Sequence, residues 1–167
     1  MNKKCIFVTM RNIKIIEVKS EIGAGTRGAS LGVDALKIAA LDFMSNFFVN
    51  FPSDVVETEN NLLYEPIESP YAKRIKGVKI MYDRVAKAVE TNLKSGLFPL
   101  VLAGDHSSAG GTIAGIKMAK PKGRLGVIWI DAHADIHSPY TTPSGNMHGM
   151  PLAVSLNEDN MDCQVHH

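Results

Sequence analysis

Two stretches of this chain are apolar at nearly every position: Phe98-Pro99-Leu100-Val101-Leu102-Ala103 and Leu125-Gly126-Val127-Ile128-Trp129-Ile130. A strand with one wet face alternates apolar and polar residues, whereas a strand apolar throughout is buried on both faces. That is the situation of a parallel sheet covered by helices on both sides. Between the runs, the segment from about Ala109 to Lys120 has helical character and is stopped by Pro121 and Gly123. Strand, helix, strand in that order is a βαβ unit. The expected class is therefore α/β, a three-layer sandwich with a mostly parallel sheet flanked by helices.

The earlier part of the chain fits the same class. Ile13-Lys14-Ile15-Ile16-Glu17-Val18 is rich in β-branched residues and stops at a glycine-rich segment, which reads as strand then loop. Ala35, Leu36, Ala39, Ala40, Phe43 and Phe47 recur at helical spacing and predict an amphipathic helix from Val33 to about Phe47. Val55-Val56 predicts a second short strand. Residues 58–76, with Pro66 and Pro70, read as an irregular connection. A helix is expected from Gly77 to about Lys94, through Val78, Met81, Val85, Val89 and Leu93, with Gly96 as its C-cap. The chain is read as one α/β domain over residues 1–167.

Composition narrows the function classes. With 45% apolar and 21% charged residues, the 167-residue chain has the make-up of a globular protein. Its 18 basic and 17 acidic residues leave a net charge of +1. No basic block offers a phosphate-binding footprint, so nucleic acid is not an expected partner. The apolar run Cys5 to Met10 ends at Arg11, short of a signal peptide, and no stretch approaches the roughly 20 residues of a membrane span. A cytoplasmic protein without a membrane partner is expected. Cys5 and Cys163, without a C-x-x-C partner, read as small packing residues.

In open α/β sheets, ligands gather beyond the carboxyl ends of the strands. Gly104-Asp105-His106-Ser107 follows the first apolar run, and Asp131-Ala132-His133-Ala134-Asp135 follows the second. In an extended backbone, positions two apart share a side, so Asp131, His133 and Asp135 are expected to project together. Two carboxylates and an imidazole on one face repel and desolvate one another, and a divalent cation relieves both penalties. His106 from the neighbouring strand completes a set of two His and two Asp. Oxygen-rich ligands with imidazole and no thiolate suit Mn2+, although intrinsic affinity favours zinc. Ser107 is expected to cap the following helix. Gly23, Gly25 and Gly28 match Gly-x-Gly-x-x-Gly, but alone this is a weak nucleotide signal and more naturally shapes a loop at the site rim.

These motifs, together with Thr142-Pro143-Ser144-Gly145-Asn146-Met147-His148-Gly149-Met150-Pro151, resemble the arginase branch of the ureohydrolase family. The resemblance runs from about Ile13 to Val154 and corresponds to the N-terminal half of an arginase-like catalytic domain. It implies hydrolysis of L-arginine to L-ornithine and urea at a centre of two Mn2+ ions. By the resemblance, His106 binds one ion, His133 the other, and Asp131 and Asp135 bridge. Asp135 also hydrogen-bonds the nucleophile, and His148 shuttles a proton to the leaving amine. Ser144 and Asn146 hold the amino-acid end of the substrate. His137 stands where many arginases carry Asn, and its imidazole can still donate to a carboxylate.

The family's second aspartate pair and distal glutamate have no counterpart here. The expectation is weak Mn2+ binding and little or no activity by this chain alone, with trimers or hexamers formed by the full-length protein. Agmatinase and formimidoylglutamase are the neighbouring activities, and a non-catalytic binding or oligomerising module is the alternative from another class.

Overall fold

The computed structural model describes residues 12–165. Cys5, the run from Cys5 to Met10 and His166-His167 lie outside these residues. The sheet has three parallel strands, β1 (Ile13–Val18), β2 (Ser53–Val55) and β3 (Phe98–Ala103), in the order β2-β1-β3. The central place goes to β1, in which Ile15 to Val18 are all buried. Successive strand side chains point to opposite faces. Ile16 and Val18 join a core with Val78, Met81, Val85 and Val89 of the long helix, here labelled α3 (Ile75–Lys94).

The opposite face of β1 presents Glu17, which is fully buried. Its carboxylate lies 2.6 Å from the Lys37 ammonium of α1 (Gly32–Asp42) and 3.6 Å from that of Lys19. A buried charge is tolerated only when paired. Burial pushes the Glu17 carboxyl up, but Lys37, Ser53 and Lys19 together hold it below the usual glutamate range. Helices therefore flank the sheet on both sides, although β3, which was expected to be buried on both faces, has no fully buried residue.

A short helix, α2 (Phe47–Asn50), leads into β2, and α4 (Ser108–Ala119) packs lengthwise on α3. The close approach rests on glycines. A Cβ on Gly115 would sit 2.5 Å from the Ala86 carbonyl oxygen and 2.7 Å from the Val89 Cβ. At the C-terminus of α3, Gly96 has φ 76°, and the Gly96 and Leu97 amides donate to the carbonyls of Leu93 and Asn92. This is the expected left-handed stop.

The structure corrects other expectations. Helix α1 ends at Asp42, because Met44 turns into the left-handed region at φ 52°. Its supposed core face is largely outward: Leu36 and Phe43 are exposed, and Val33 is its buried residue. Residues 125–130 form no strand. They lie across a cavity of about 690 Å³ from β3 and α4. All six residues line that cavity, but only Trp129 is half-buried, and Ile128 and Ile130 are 90% and 93% exposed. A strand apolar on both sides needs a covering layer on both. Among the described residues nothing covers the outer side, and the βαβ unit is left without its second strand. Cys163 is exposed rather than packed.

Candidate active site

Strands β1 and β3 end side by side, with Val18 opposite Ala103. The loops that follow them therefore emerge together at the carboxyl edge of the sheet. Gly104 donates its N–H to the Val18 carbonyl at 2.8 Å, and a Cβ there would collide with the Ser20 carbonyl. This contact locks the two loops to each other.

Asp105 is buried at that junction. Its Oδ2 accepts the Gly23 N–H at 3.0 Å and its Oδ1 accepts the Ser107 N–H at 2.8 Å. Ser107 occupies the cap position of α4 but makes no side-chain capping bond. Its hydroxyl instead packs against Gly23, where a Cβ would lie 2.5 Å from it. Asp105 takes over the work expected of Ser107, since its side chain satisfies an amide at the helix start.

His106 follows, and its ring stacks on Trp129 with centroids 4.7 Å apart and planes 19° from parallel. This contact fixes the plane of the imidazole. Its Nδ1 lies 3.0 Å from Asp131 Oδ2 and 2.8 Å from Asp135 Oδ2. One nitrogen, carrying at most one hydrogen, faces two carboxylate oxygens. The Asp135 oxygen is buried and has no hydrogen bond of good geometry. Ligand atoms of His106, Asp131 and Asp135 all fall within 4.8 Å of one another, a spacing that can hold a metal ion.

His133 is not part of that trio. Residues 131–133 bend, because the Asp131 carboxylate accepts the His133 backbone N–H at 2.8 Å. A turned chain loses the two-residue alternation of a strand, so the expected common projection of Asp131, His133 and Asp135 does not occur. The His133 side chain is 81% exposed, with Nδ1 3.2 Å from Asp131 Oδ1. Asp135 joins from a left-handed backbone at φ 48° and accepts the Leu152 amide on its carbonyl at 3.1 Å. Asp131 thus turns one carboxylate oxygen to His106 and the other to His133. The His133 amide, aided by the two imidazoles against a desolvation penalty, holds the Asp131 carboxyl below the usual range.

Beyond Asp135 the chain turns through the predicted substrate loop. His137 is exposed, with Nδ1 3.2 Å from the Thr141 hydroxyl. Ser144 is exposed, and its Oγ accepts the Asn146 N–H at 3.2 Å. Gly145, at φ 73°, would drive a Cβ into the Pro70 carbonyl. His148 is half-buried, and both its backbone N–H (3.1 Å) and its Nδ1 (3.3 Å) approach the Gly23 carbonyl.

The glycine-rich loop is organised by Glu21, a residue with no visible motif in the sequence. Its buried Oε1 accepts the Gly28 N–H at 2.6 Å, the Ser30 N–H at 2.9 Å and the Ser30 hydroxyl at 2.7 Å. Arg27 pairs with Oε2 at 3.0 Å. An internal carboxylate thus occupies amides that a bound phosphate would need. Burial pushes the Glu21 carboxyl up, yet the Ser30 and Gly28 hydrogen bonds and the Arg27 charge hold it below the usual range.

The arginase family profile matches residues 11–165. The chain belongs to the arginase family. It is 40% identical to the arginase of Bacillus caldovelox over 150 residues, covering 88% of this chain and 49% of that protein. The solved arginase of Bacillus subtilis superposes with a TM-score of 0.72 at 36% identity, over 89% of this chain and 49% of that one. The Entamoeba histolytica arginase, solved in complex with L-ornithine, gives a TM-score of 0.73 at 25% identity, over 93% of this chain and 54% of that one. The chain spans about half the length of the curated relatives it matches. Within this arginase-family frame, sequence reasoning missed Glu21, the Asp105 clasp and the Trp129 platform.

Proposed function

We propose that this chain carries part of the catalytic centre of an arginase, which hydrolyses L-arginine to L-ornithine and urea with two Mn2+ ions. The observation that carries this reading is the split of Asp131, one oxygen toward His106 and the other toward His133. A carboxylate shared between two imidazole-bearing positions is suited to bridging two ions. The buried, hydrogen-bond-free oxygen of Asp135 supports the same fit, because it has lone pairs aimed at the trio and no donor of good geometry to receive them.

His106, Asp131 and Asp135 would hold one ion, and Asp131 with His133 a second. The ions, when bound, supply positive charge that lowers the pKa of water and polarises the guanidinium carbon. The rest of the work falls to the chain. Asp135 accepts a hydrogen bond from the attacking water. His148 gives its proton to the departing δ-amine as the carbon–nitrogen bond breaks. Ser144, Asn146 and His137 bind the amino-acid end, and the exposed Ser144 and His137 leave polar atoms open to a ligand. On α1, Leu36, Ile38 and Leu41, with Phe43 just beyond its end, leave an apolar surface exposed, which supports assembly into an oligomer.

The test is Mn2+ titration followed by electron paramagnetic resonance, with urea assays on L-arginine and agmatine. The expected result is weak Mn2+ binding that Asp131→Asn and His106→Ala abolish, and slow or no urea release, with L-arginine preferred to agmatine wherever release is measurable. An unaltered free-Mn2+ spectrum with the wild-type chain would overturn the metal reading. Preference for agmatine would overturn the substrate reading.

A further inference from the structure

The Gly23 carbonyl makes a contact that the reaction scheme above does not use. It receives the His148 backbone N–H at 3.1 Å and faces the His148 Nδ1 at 3.3 Å. A carbonyl oxygen accepts and cannot donate, so the contact with Nδ1 is a hydrogen bond only when Nδ1 carries the hydrogen. The two ring nitrogens of a neutral imidazole are one donor and one acceptor, and the partner of one decides the state of the other. Gly23 itself is held from behind. Its N–H donates to the buried Asp105 Oδ2 at 3.0 Å, and the space where its Cβ would stand is filled by Asp105 Oδ1 and the Ser107 side chain. Asp105 is tied to the start of α4 through the Ser107 amide, and the Ser108 hydroxyl donates to its carbonyl at 2.7 Å. The position of the Gly23 carbonyl is therefore fixed by α4, not by the loop alone.

We infer that Asp105 and Gly23 are positioning residues that hold His148 in the Nδ1–H tautomer and so make Nε2 the nitrogen that exchanges protons with substrate. This inference rests on the reading of His148 as the proton donor. In the imidazolium both nitrogens carry hydrogen. Nε2–H gives its proton to the departing amine, and the hydrogen left on Nδ1 stays on the Gly23 carbonyl, so the neutral product is the tautomer already held. The ring then neither flips nor exchanges tautomers between donation and reprotonation.

The experiment is long-range proton–nitrogen correlation spectroscopy on the 15N-histidine-labelled 167-residue chain, with His148 assigned through His148→Gln. At a pH where the ring is neutral, His148 is expected as the Nδ1–H tautomer. In Asp105→Asn, whose amide group cannot accept both N–H bonds, the spectrum should shift toward the Nε2–H form that a free histidine favours. An Nε2–H tautomer in the wild-type chain overturns the inference, and an unchanged tautomer in folded Asp105→Asn overturns the part assigned to Asp105. A second measurement needs no variant: the Gly23 and His148 amides should exchange slowly with solvent, and rapid exchange of either breaks the chain of contacts. None of these readouts depends on turnover. Mn2+ left free by the wild-type chain sinks the catalytic reading and leaves the tautomer result standing.

Discussion

Replacing Glu21 with alanine isolates the role of one buried carboxylate in shaping the rim of the site. The substitution leaves the Gly28 and Ser30 amides without the acceptor they share, and the Ser30 hydroxyl without its partner. A buried amide left unsatisfied costs roughly 1–3 kcal/mol, so two of them set a range of roughly 2–6 kcal/mol. The lower half of that range applies, because Gly28 is exposed and Ser30 half-buried, which lets water reach the vacated space. The lost Arg27 ion pair adds little, since its guanidinium side is 56% exposed and such pairs contribute about 0–1 kcal/mol. The expected loss is about 2–4 kcal/mol. With a urea m-value of about 2 kcal/mol per molar, the unfolding midpoint should fall by roughly 1–2 M with m unchanged. The loss should also depend on pH with a definite sign. The Glu21 carboxyl is held below its ordinary range in the fold, so its stabilisation is complete above that range and disappears as pH falls through the lowered folded-state value. The wild-type and Glu21→Ala midpoints should therefore converge in acid. A variant within about 0.5 kcal/mol of wild type at neutral pH, the scatter of ordinary surface changes, would refute the reasoning.

Gly115→Val inserts a branched side chain where even a Cβ meets the Ala86 carbonyl and Val89, and it should destabilise by at least about 1–3 kcal/mol, read as a lowered thermal midpoint. Lys37→Met should cost about 2 kcal/mol in urea unfolding, less than the roughly 3–5 kcal/mol for breaking a fully buried pair, because Lys19 remains near Glu17. An unchanged midpoint would mean that Glu17 is neutral in the folded chain. Trp129→Leu removes the ring stacked on His106, and Mn2+ affinity should drop several-fold while the fold persists by circular dichroism. Equal affinity would show that the stacking does not orient the imidazole.

The amino-acid sequence by itself determined the elements whose patterns are local. Strand β1, helices α3 and α4, and the Gly96 stop follow from β-branched runs, three-and-four spacing and a glycine at a left-handed position, all legible without a partner. The ligand-type residues were equally legible, since His106, Asp131 and Asp135 stand at the ends of apolar runs where an α/β sheet collects its ligands. Tertiary structure alone decided the rest. Glu21 became the organiser of the glycine loop only because the chain folds back to bring the Gly28 and Ser30 amides onto it. Whether His133 joins its neighbours depended on a single backbone bond to Asp131, and whether residues 125–130 pair as a strand depended on what covers their outer side. Periodicity reports which residues seek burial. It does not report which surface receives them, because that is set by contacts between segments far apart in the chain.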